Sequence, residues 1–496
     1  MFFLFFCIHP KDIEYRNPYE VEISIKSHFM GLNGKRWLLL GGVFSIVSCM
    51  GPSTVVKESD LRSKKLTPSF FKNHYAKIQE RLKKDKKLLQ NAKKPEESLE
   101  WYLDAGSVAR YAYDLNTSFK IWDFADRQIN IYEQKLLVEK GFQEAASLLV
   151  NDLVKDYKPP IYERVFVNIF QALNALSMSD LSTANVELNR AIDRLKYAEN
   201  IFKKEIEQAQ KEAEKEKKGR QVQISDRTLS PIEKAYSNLD RFKAYSKFEN
   251  PFVYYLKGIL YYERGEYSNA VDMFKTAYGL IKDKEPAQKV VEKDWELARS
   301  PSNTKHYVWV IYLNGLSFEK VEKRFDIPLF VVTDRVLYTG IALPWLKERP
   351  KTSDSLLIQT PNRTYKTYRL VNVDNLVAWE FKQRLPSIVT KEVIRATVKT
   401  LIQYEANRRL GLLAGIATAV YQAVTTKADT RQWYWLPKEI QVARIEFKPN
   451  EPIRITVPNH PPKEFKFDDN VKDAIIIVRG FKPNDEVWYY VATFKK

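Results

Sequence analysis

Three triplets of small residues recur in the first half of the chain with identical spacing, and this pattern constrains the fold more than any other feature. In each triplet the second residue follows the first by 12 positions, and the third follows the second by 7. The triplets are Gly106, Ser118 and Ala125; Ala172, Ala184 and Ala191; and Gly258, Ala270 and Ala277. Small side chains shorten the distance at which two helices can pack. The pattern therefore predicts antiparallel helical hairpins.

The third triplet lies in the segment with the strongest repeat character. This segment resembles a tetratricopeptide repeat, a helix-turn-helix unit of about 34 residues. The residues that carry the resemblance are Tyr254, Gly258, Tyr261, Gly265, Tyr267, Ala270, Phe274 and Ala277. The first two triplets begin 66 residues apart, so a further helical pair is expected over about 132–156. We assign residues 99–300 to a tetratricopeptide-like array, with a highly charged helix end at 205–218.

The second half of the chain changes character. His306–Leu313 is rich in β-branched and aromatic residues and precedes Asn314-Gly315, which predicts a strand and a turn. A helix is expected over Val389–Ala423, and four short strands are expected from Glu439 onward. The chain is thus predicted to be a multidomain α plus α/β protein. Its helical array precedes an α+β domain over 301–437 and a β-rich terminal domain over 438–496.

The N-terminal region contains a candidate export signal. Lys35 and Arg36 precede a short apolar run that ends in Ile46-Val47-Ser48-Cys49. This order resembles a bacterial lipoprotein signal peptide, in which Cys49 is acylated and begins the mature protein. The run is about half the length that a helix needs to span a bilayer, and a short buried helix is the alternative. We assign 30–48 to the signal peptide and 1–29 to an upstream extension, with the start at Met1 or Met30 left open.

The net charge of +18 is concentrated in one segment, where twelve basic residues face only Glu80 and Asp85. The twelve are Arg62, Lys64, Lys65, Lys72, Lys77, Arg81, Lys83, Lys84, Lys86, Lys87, Lys93 and Lys94. Residues 49–98 are therefore expected to form a basic tether or helix. It is either a solvated helix near the anchor or a surface for anionic lipids, which attract each lysine by about 1 kcal/mol. A nucleic-acid partner is not predicted, because it conflicts with export and no nucleic-acid motif accompanies the charge.

The sequence offers little that predicts catalysis. It has no glycine-rich phosphate loop, no metal-spaced Cys/His set and no nucleophile elbow, so no cofactor and no metal are predicted. The candidate cluster consists of Asp429, Arg431 and Trp433. Residues two apart on a strand share a face, so the carboxylate and the guanidinium can pair beside the indole. The alternative is a structural turn, in which the ion pair and a buried indole fix the junction between helix and sheet.

Several motifs outside the repeats resemble one family. They are Asn314-Gly315-Leu316-Ser317, Ile341-Ala342-Leu343-Pro344, Asp374-Asn375-Leu376, and Ala428 to Trp433 followed by Leu436-Pro437. The segments Tyr162-Glu163-Arg164 and Asn250-Pro251-Phe252 fit as well. Together they are similar to uncharacterised bacterial lipoproteins in which tetratricopeptide repeats precede a C-terminal α/β domain. The resemblance implies a lipid anchor on the periplasmic face of the outer membrane, and it implies no particular activity.

Three functions follow as hypotheses. The first is a non-enzymatic cell-envelope lipoprotein whose repeats form a groove for a periplasmic or outer-membrane protein, with Cys49 setting its location. The second is a binding module for an anionic envelope polymer or lipid through residues 62–94. The third is an enzyme with its site around Asp429 and Arg431, and it is the least supported because the pair has no accompanying nucleophile or base.

Overall fold

A computed structural model describes residues 13–17, 20–23, 55–92, 95–138, 157–218, 226–242, 247–281, 286–301, 304–329, 337–410 and 427–495. The signal-peptide segment with Cys49, most of the helical pair expected over 132–156, and the end of the helix expected to reach Ala423 lie outside the described residues. The chain divides into two compact units, Met1–Pro52 and Ser53–Lys496. In the first unit, strands β1 (Ile13–Asn17) and β2 (Glu20–Ile23) form an antiparallel pair.

The described part of the second unit begins with ten α-helices. They are α1 (Glu58–Ser63), α2 (Pro68–Lys84), α3 (Leu99–Tyr111), α4 (Leu115–Val138), α5 (Ile161–Ser177), α6 (Leu181–Lys218), α7 (Asp226–Ala235), α8 (Pro251–Glu263), α9 (Tyr267–Leu280) and α10 (Pro286–Arg299). Three of these helices have side-chain N-caps: Thr67 caps α2, Ser98 caps α3 and Asn250 caps α8. Each capping side chain accepts a hydrogen bond from a free amide of the first turn. A 3₁₀ helix, Tyr236–Arg241, follows α7.

The three helical hairpins predicted from the triplets are α3–α4, α5–α6 and α8–α9, and their turns are alike. Each turn places one residue at positive φ, namely Tyr113 (69°), Ser179 (61°) and Gly265 (75°). The amide of the next residue donates a hydrogen bond to the carbonyl five residues earlier. These bonds run from Asp114 to Ala109 at 3.0 Å, from Asp180 to Ala175 at 2.8 Å and from Glu266 to Tyr261 at 2.8 Å. This geometry satisfies carbonyls that the end of a helix leaves free.

The small residues of the triplets lie where the paired helices touch. A Cβ atom added at Gly106 would overlap the Trp122 indole, and one added at Gly258 would lie 2.7 Å from the Phe274 ring. The other members of the triplets are fully buried; they are Ser118, Ala125, Ala172, Ala184, Ala191, Ala270 and Ala277. Close helix packing therefore accounts for the repeated spacing.

The remaining elements are strands and one long helix, α11 (Val373–Leu410). The strands are β3 (His306–Asn314), β4 (Glu319–Leu329), β5 (Leu337–Lys347), β6 (Leu357–Gln359), β7 (Thr364–Lys366), β8 (Tyr368–Asn372), β9 (Glu439–Phe447), β10 (Ile453–Thr456), β11 (Lys463–Phe465), β12 (Val471–Gly480) and β13 (Val487–Lys495). One sheet has the order β13-β12-β3-β9-β8, with β12 and β3 parallel and the other pairs antiparallel. A second, antiparallel sheet has the order β11-β10-β6-β7, and β4 pairs with β5 alone.

The five-stranded sheet is buried on both faces. In β3, Trp309 and Ile311 join the core that the sheet shares with the helices, whereas Val308 and Val310 join a core shared with the four-stranded sheet. Alternate side chains point to opposite faces of a strand, so a strand buried on both faces reads as a continuous apolar run. The second unit thus has three layers: helices, the five-stranded sheet and the four-stranded sheet.

This layering changes the expected division of the C-terminal half. Strand β3, from the range 301–437, pairs with β9 and β12 from the range 438–496. Strand β6 likewise pairs with β10. A boundary at 437/438 would therefore cut both sheets, because β3 needs neighbours on both edges and apolar cover on both faces. The N-terminal helices and the mixed sheets of the C-terminal half agree with the predicted multidomain α plus α/β class.

Candidate functional site

A segment without helix or strand, residues 428–436, lies against the first two hairpins, and we call it the tryptophan segment. Its Trp433 is 3% exposed, and its ring lies 5.6 Å from that of Trp122 and 5.4 Å from that of Phe170. The Trp433 Nε1 atom donates a hydrogen bond to Ser107 Oγ at 2.7 Å. The fully buried Trp435 donates its indole N–H to the Asp104 carboxylate, also on α3. Both indoles therefore lie on the hairpins.

Charged side chains hold the backbone of the tryptophan segment. The amides of Ala428, Gln432 and Trp433 donate to the carboxylates of Glu322, Glu100 and Glu163 at 3.0, 3.3 and 3.0 Å. The carbonyls of Arg431, Tyr434 and Trp435 accept from Lys320, Arg349 and Arg479 at 3.0, 3.1 and 3.0 Å. Charge-assisted hydrogen bonds are about twice as strong as neutral ones. Charged side chains from several elements thus fix the backbone of the segment in place.

The structure separates the three residues of the predicted cluster. Arg431 and Asp429 form an ion pair at 2.7 Å, with side chains 12% and 33% exposed, whereas Trp433 is buried against the hairpins. The prediction that this pair lies on a strand is wrong. The two residues instead meet in a local turn, in which the Arg431 amide also donates to Asp429 Oδ1 at 3.1 Å. The pair and the indole therefore do not share one site.

The third hairpin faces the five-stranded sheet. The Tyr262 ring on α8 lies 5.8 Å from that of Trp309 on β3. Asp294 on α10 accepts hydrogen bonds from Tyr255 Oη at 2.8 Å and from Trp309 Nε1 at 3.2 Å, and it pairs with Arg444 at 3.0 Å. The face of α3, α5 and α8 that points toward the sheet and the tryptophan segment, which we call the inner face, is therefore covered by the chain itself.

A buried ionic network joins α4, α5, α6 and α11, and the sequence analysis did not find it. Arg164 pairs with Glu133 at 3.3 Å and with Glu205, while Arg384 pairs with Glu205 and Glu380, both at 2.6 Å. Glu380 also accepts hydrogen bonds from the first amides of α5, which stabilises that helix end. Burial alone would raise the pKa of Glu205, but the charges of Arg164 and Arg384 lower it to about 2.

Helix α2 and the residues just after it, 85–87, present a second candidate surface, which we call the lysine face. Its members are exposed, and no carboxylate oxygen of the described residues forms an ion pair with any of them: Lys72, Lys77, Lys83, Lys84, Lys86 and Lys87. The opposite side of α2 buries Phe70, Phe71, Tyr75 and Ile78. Other basic residues of the run are paired, such as Arg62 with Glu319 at 2.6 Å and Arg81 with Glu97 at 3.1 Å.

Functional features of other kinds are a small-molecule pocket, a metal site and a membrane-spanning helix. A pocket of about 250 Å³ lies beside β7, β8 and β9, and its charged lining mixes Lys351, Lys366 and Arg369 with Asp354 and Glu439. Within the described ranges, no group of three or more His, Cys, Asp or Glu side chains is arranged to hold a metal ion. The described helices also include none that is long and apolar enough to cross a membrane.

Comparison with known proteins gave no relative of this chain: no family model, no curated protein and no solved structure matches it.

Proposed function

We propose that the protein is a non-enzymatic, lipid-tethered protein of the bacterial cell envelope that binds an anionic envelope component through the lysine face. The observation that carries this proposal is the set of six exposed, unpaired lysines, four on α2 and two just after its end, where the other side of α2 is fixed in the core. A concentration of positive charge of this kind attracts anions. An anionic partner is therefore the chemistry that this surface fits.

The inner face of the hairpins is a weaker candidate for partner binding. Three hairpins with one turn geometry and buried small residues support the tetratricopeptide-like assignment. A peptide entering along this face would first have to displace Trp433 and Trp435, together with the charged groups that hold their backbone. Truncating a single buried tryptophan costs about 3–5 kcal/mol, so such displacement is strongly opposed. This favours a partner on an outer surface.

The tether follows from the signal-peptide resemblance. The Val55 and Val56 amides donate to Asp104 Oδ2 at 2.7 and 3.1 Å, which fixes the chain there to α3. Val55 lies six positions after Cys49, a span of at most about 21 Å when the chain is fully extended. An acylated Cys49 would thus keep Val55, and the folded body that it joins, close to the envelope surface. This arrangement accounts for a basic helix placed soon after the anchor.

A salt-elution experiment tests the proposal. We compare the full chain carrying Cys49→Ser with two variants of equal charge on an immobilised polyanion such as heparin. One variant has Lys72, Lys77, Lys83 and Lys84 changed to Gln, and the control has Lys448, Lys463, Lys466 and Lys495 changed to Gln, all exposed. The lysine-face variant should elute at clearly lower salt than the control. Equal elution of the two variants would contradict the proposal.

A second candidate function is a scaffold for an envelope protein on the outer side of α6. Val186 and Tyr197 are 44% and 56% exposed. They lie 11 positions apart, which is about three helical turns and places them on one side. A photo-crosslinker at Tyr197 should give one discrete adduct in native envelopes that Val186→Asp removes. A diffuse adduct pattern, unchanged by Val186→Asp, would count against this candidate.

A further inference from the structure

We propose that the lysine face docks on the anionic surface of a lipid bilayer, with α2 lying along the headgroup phosphates, and this inference rests on the function proposed above. The binding is electrostatic and does not insert the helix. The tethered body is thereby held against the membrane in one orientation, with the lysine face toward the lipid.

The arrangement of the lysines fits an extended, flat, negatively charged surface. Lys72 and Lys84 lie 12 residues apart, a rise of about 18 Å along the axis. At about 100° per residue, Lys72, Lys77, Lys83 and Lys84 fall within a sector of about 140° on the exposed side. Ser69, Asn73, Ala76 and Glu80 also lie inside this sector, so a plane that meets the four lysines also meets one carboxylate. One planar surface can therefore contact all four lysines together.

The apolar side of α2 is unavailable to lipid. Phe71 packs with its ring 5.0 Å from that of Trp435 and 5.3 Å from that of Trp488. Tyr75 Oη donates to Asp114 Oδ2 at 2.5 Å, in the turn of the first hairpin. An interfacial helix of the inserting kind buries its apolar side in the bilayer. Because this side of α2 is already part of the core, only the charged side can meet a membrane.

The tether favours a bilayer over a free polymer as the anion. The extended reach of about 21 Å between Cys49 and Val55 is shorter than α2 itself, which is about 26 Å long. A short link raises the effective concentration of the second contact to the millimolar range. Each lysine that reaches an anionic leaflet then contributes about 1 kcal/mol, or about fivefold in partitioning. Weak individual contacts are sufficient under these conditions.

Vesicle co-sedimentation tests the inference. The full chain with Cys49→Ser is mixed with phosphatidylcholine vesicles, with and without phosphatidylglycerol, at low and high salt. We expect binding only to the anionic vesicles and loss of binding at high salt. The change of Lys72, Lys77, Lys83 and Lys84 to Gln should lower the partition coefficient at least tenfold. The matched change at Lys448, Lys463, Lys466 and Lys495 should lower it less than twofold.

The outcomes separate the two proposals. If the polyanion retains the chain through the lysine face but anionic vesicles do not bind it, the bilayer inference is overturned and the proposed function stands. If neither probe responds to the lysine-face change, both are overturned. Equal vesicle binding by the two variants also overturns the inference. Lys and Gln have similar helix propensities, so circular dichroism should show that both variants keep the native helix content.

Discussion

Replacing Trp433 by alanine tests whether the tryptophan segment is fixed on the hairpins. The side chain is 3% exposed and packs between Trp122 and Phe170. Truncating a buried tryptophan to alanine costs about 3–5 kcal/mol. The hydrogen bond to Ser107 is lost as well. This loss adds about 1 kcal/mol at most, because Ser107 Oγ still donates to Leu103 O at 3.0 Å. We expect the free energy of unfolding to fall by about 4 kcal/mol.

A second variant separates the hydrogen bond from the packing. Trp433→Phe keeps an aromatic ring and removes the donor, so it should cost about 1–2 kcal/mol. Ser107→Ala removes the acceptor of the same bond. Because each change removes that one bond, the double variant should cost less than the sum of the single variants. Additive costs would show that Trp433 and Ser107 do not interact.

The assay is urea unfolding of the full chain, followed by circular dichroism. Tyr197→Ala is the control, because its ring is 56% exposed and surface changes usually stay within about 0.5 kcal/mol. A cost below about 1 kcal/mol for Trp433→Ala would refute the reasoning, since the segment would then not be bound on the hairpins.

Four further predictions address the hairpins, two buried carboxyl groups and the anchor. Gly106→Ala should lower the melting temperature, at a cost of about 1–3 kcal/mol, because the new Cβ overlaps Trp122. Gly279→Ala is the control and should be neutral or stabilising, because nothing lies within 4 Å of the added Cβ. Equal effects of the two changes in thermal unfolding would contradict this prediction. Burial raises the pKa of Asp104 to about 6, so stability relative to Asp104→Asn should fall as pH rises from about 4 to 6. Burial opposes ionisation of Glu205, but Arg164 and Arg384 lower its pKa to about 2, so stability relative to Glu205→Gln should fall by about 3 kcal/mol as pH drops from about 4.5 to 2. Unfolding measured across pH checks both signs, and a pH-independent difference for either pair would contradict its assignment. Mass spectrometry of the protein from its native membrane should find acylated Cys49 at the N-terminus, and an unmodified start at Met1 or Met30 would remove the tether.

The parts of the fold that sequence reasoning reached are local ones. The spacing of Gly106, Ser118 and Ala125 identified a hairpin because the contacts that it reports lie within about 20 residues. The aromatic and β-branched run before Asn314-Gly315 likewise identified β3 as a strand. The exposure of the α2 lysines can also be predicted from the sequence, because the apolar residues Phe71, Tyr75 and Ile78 recur at helical spacing.

The candidate sites show where such reasoning ends. The motif from Asp429 to Trp433 was singled out, but its separation into a half-buried ion pair and a buried indole depends on α3 and α5, more than 260 positions away. In the sequence Arg164 stands out only as part of the Tyr162-Glu163-Arg164 motif, which does not indicate that it is buried. Only its three-dimensional neighbours, Glu133 and Glu205, account for its burial.

The sequence by itself determined the helical hairpins, the β-rich second half and the amphipathic basic helix, because periodicity and turn residues act over short distances. The tertiary structure decided which strands share a sheet, with β3 placed between β9 and β12, and it decided that the chain covers the inner face of its own hairpins. Those outcomes depend on which distant apolar and charged groups best satisfy one another, and a linear pattern does not contain that information.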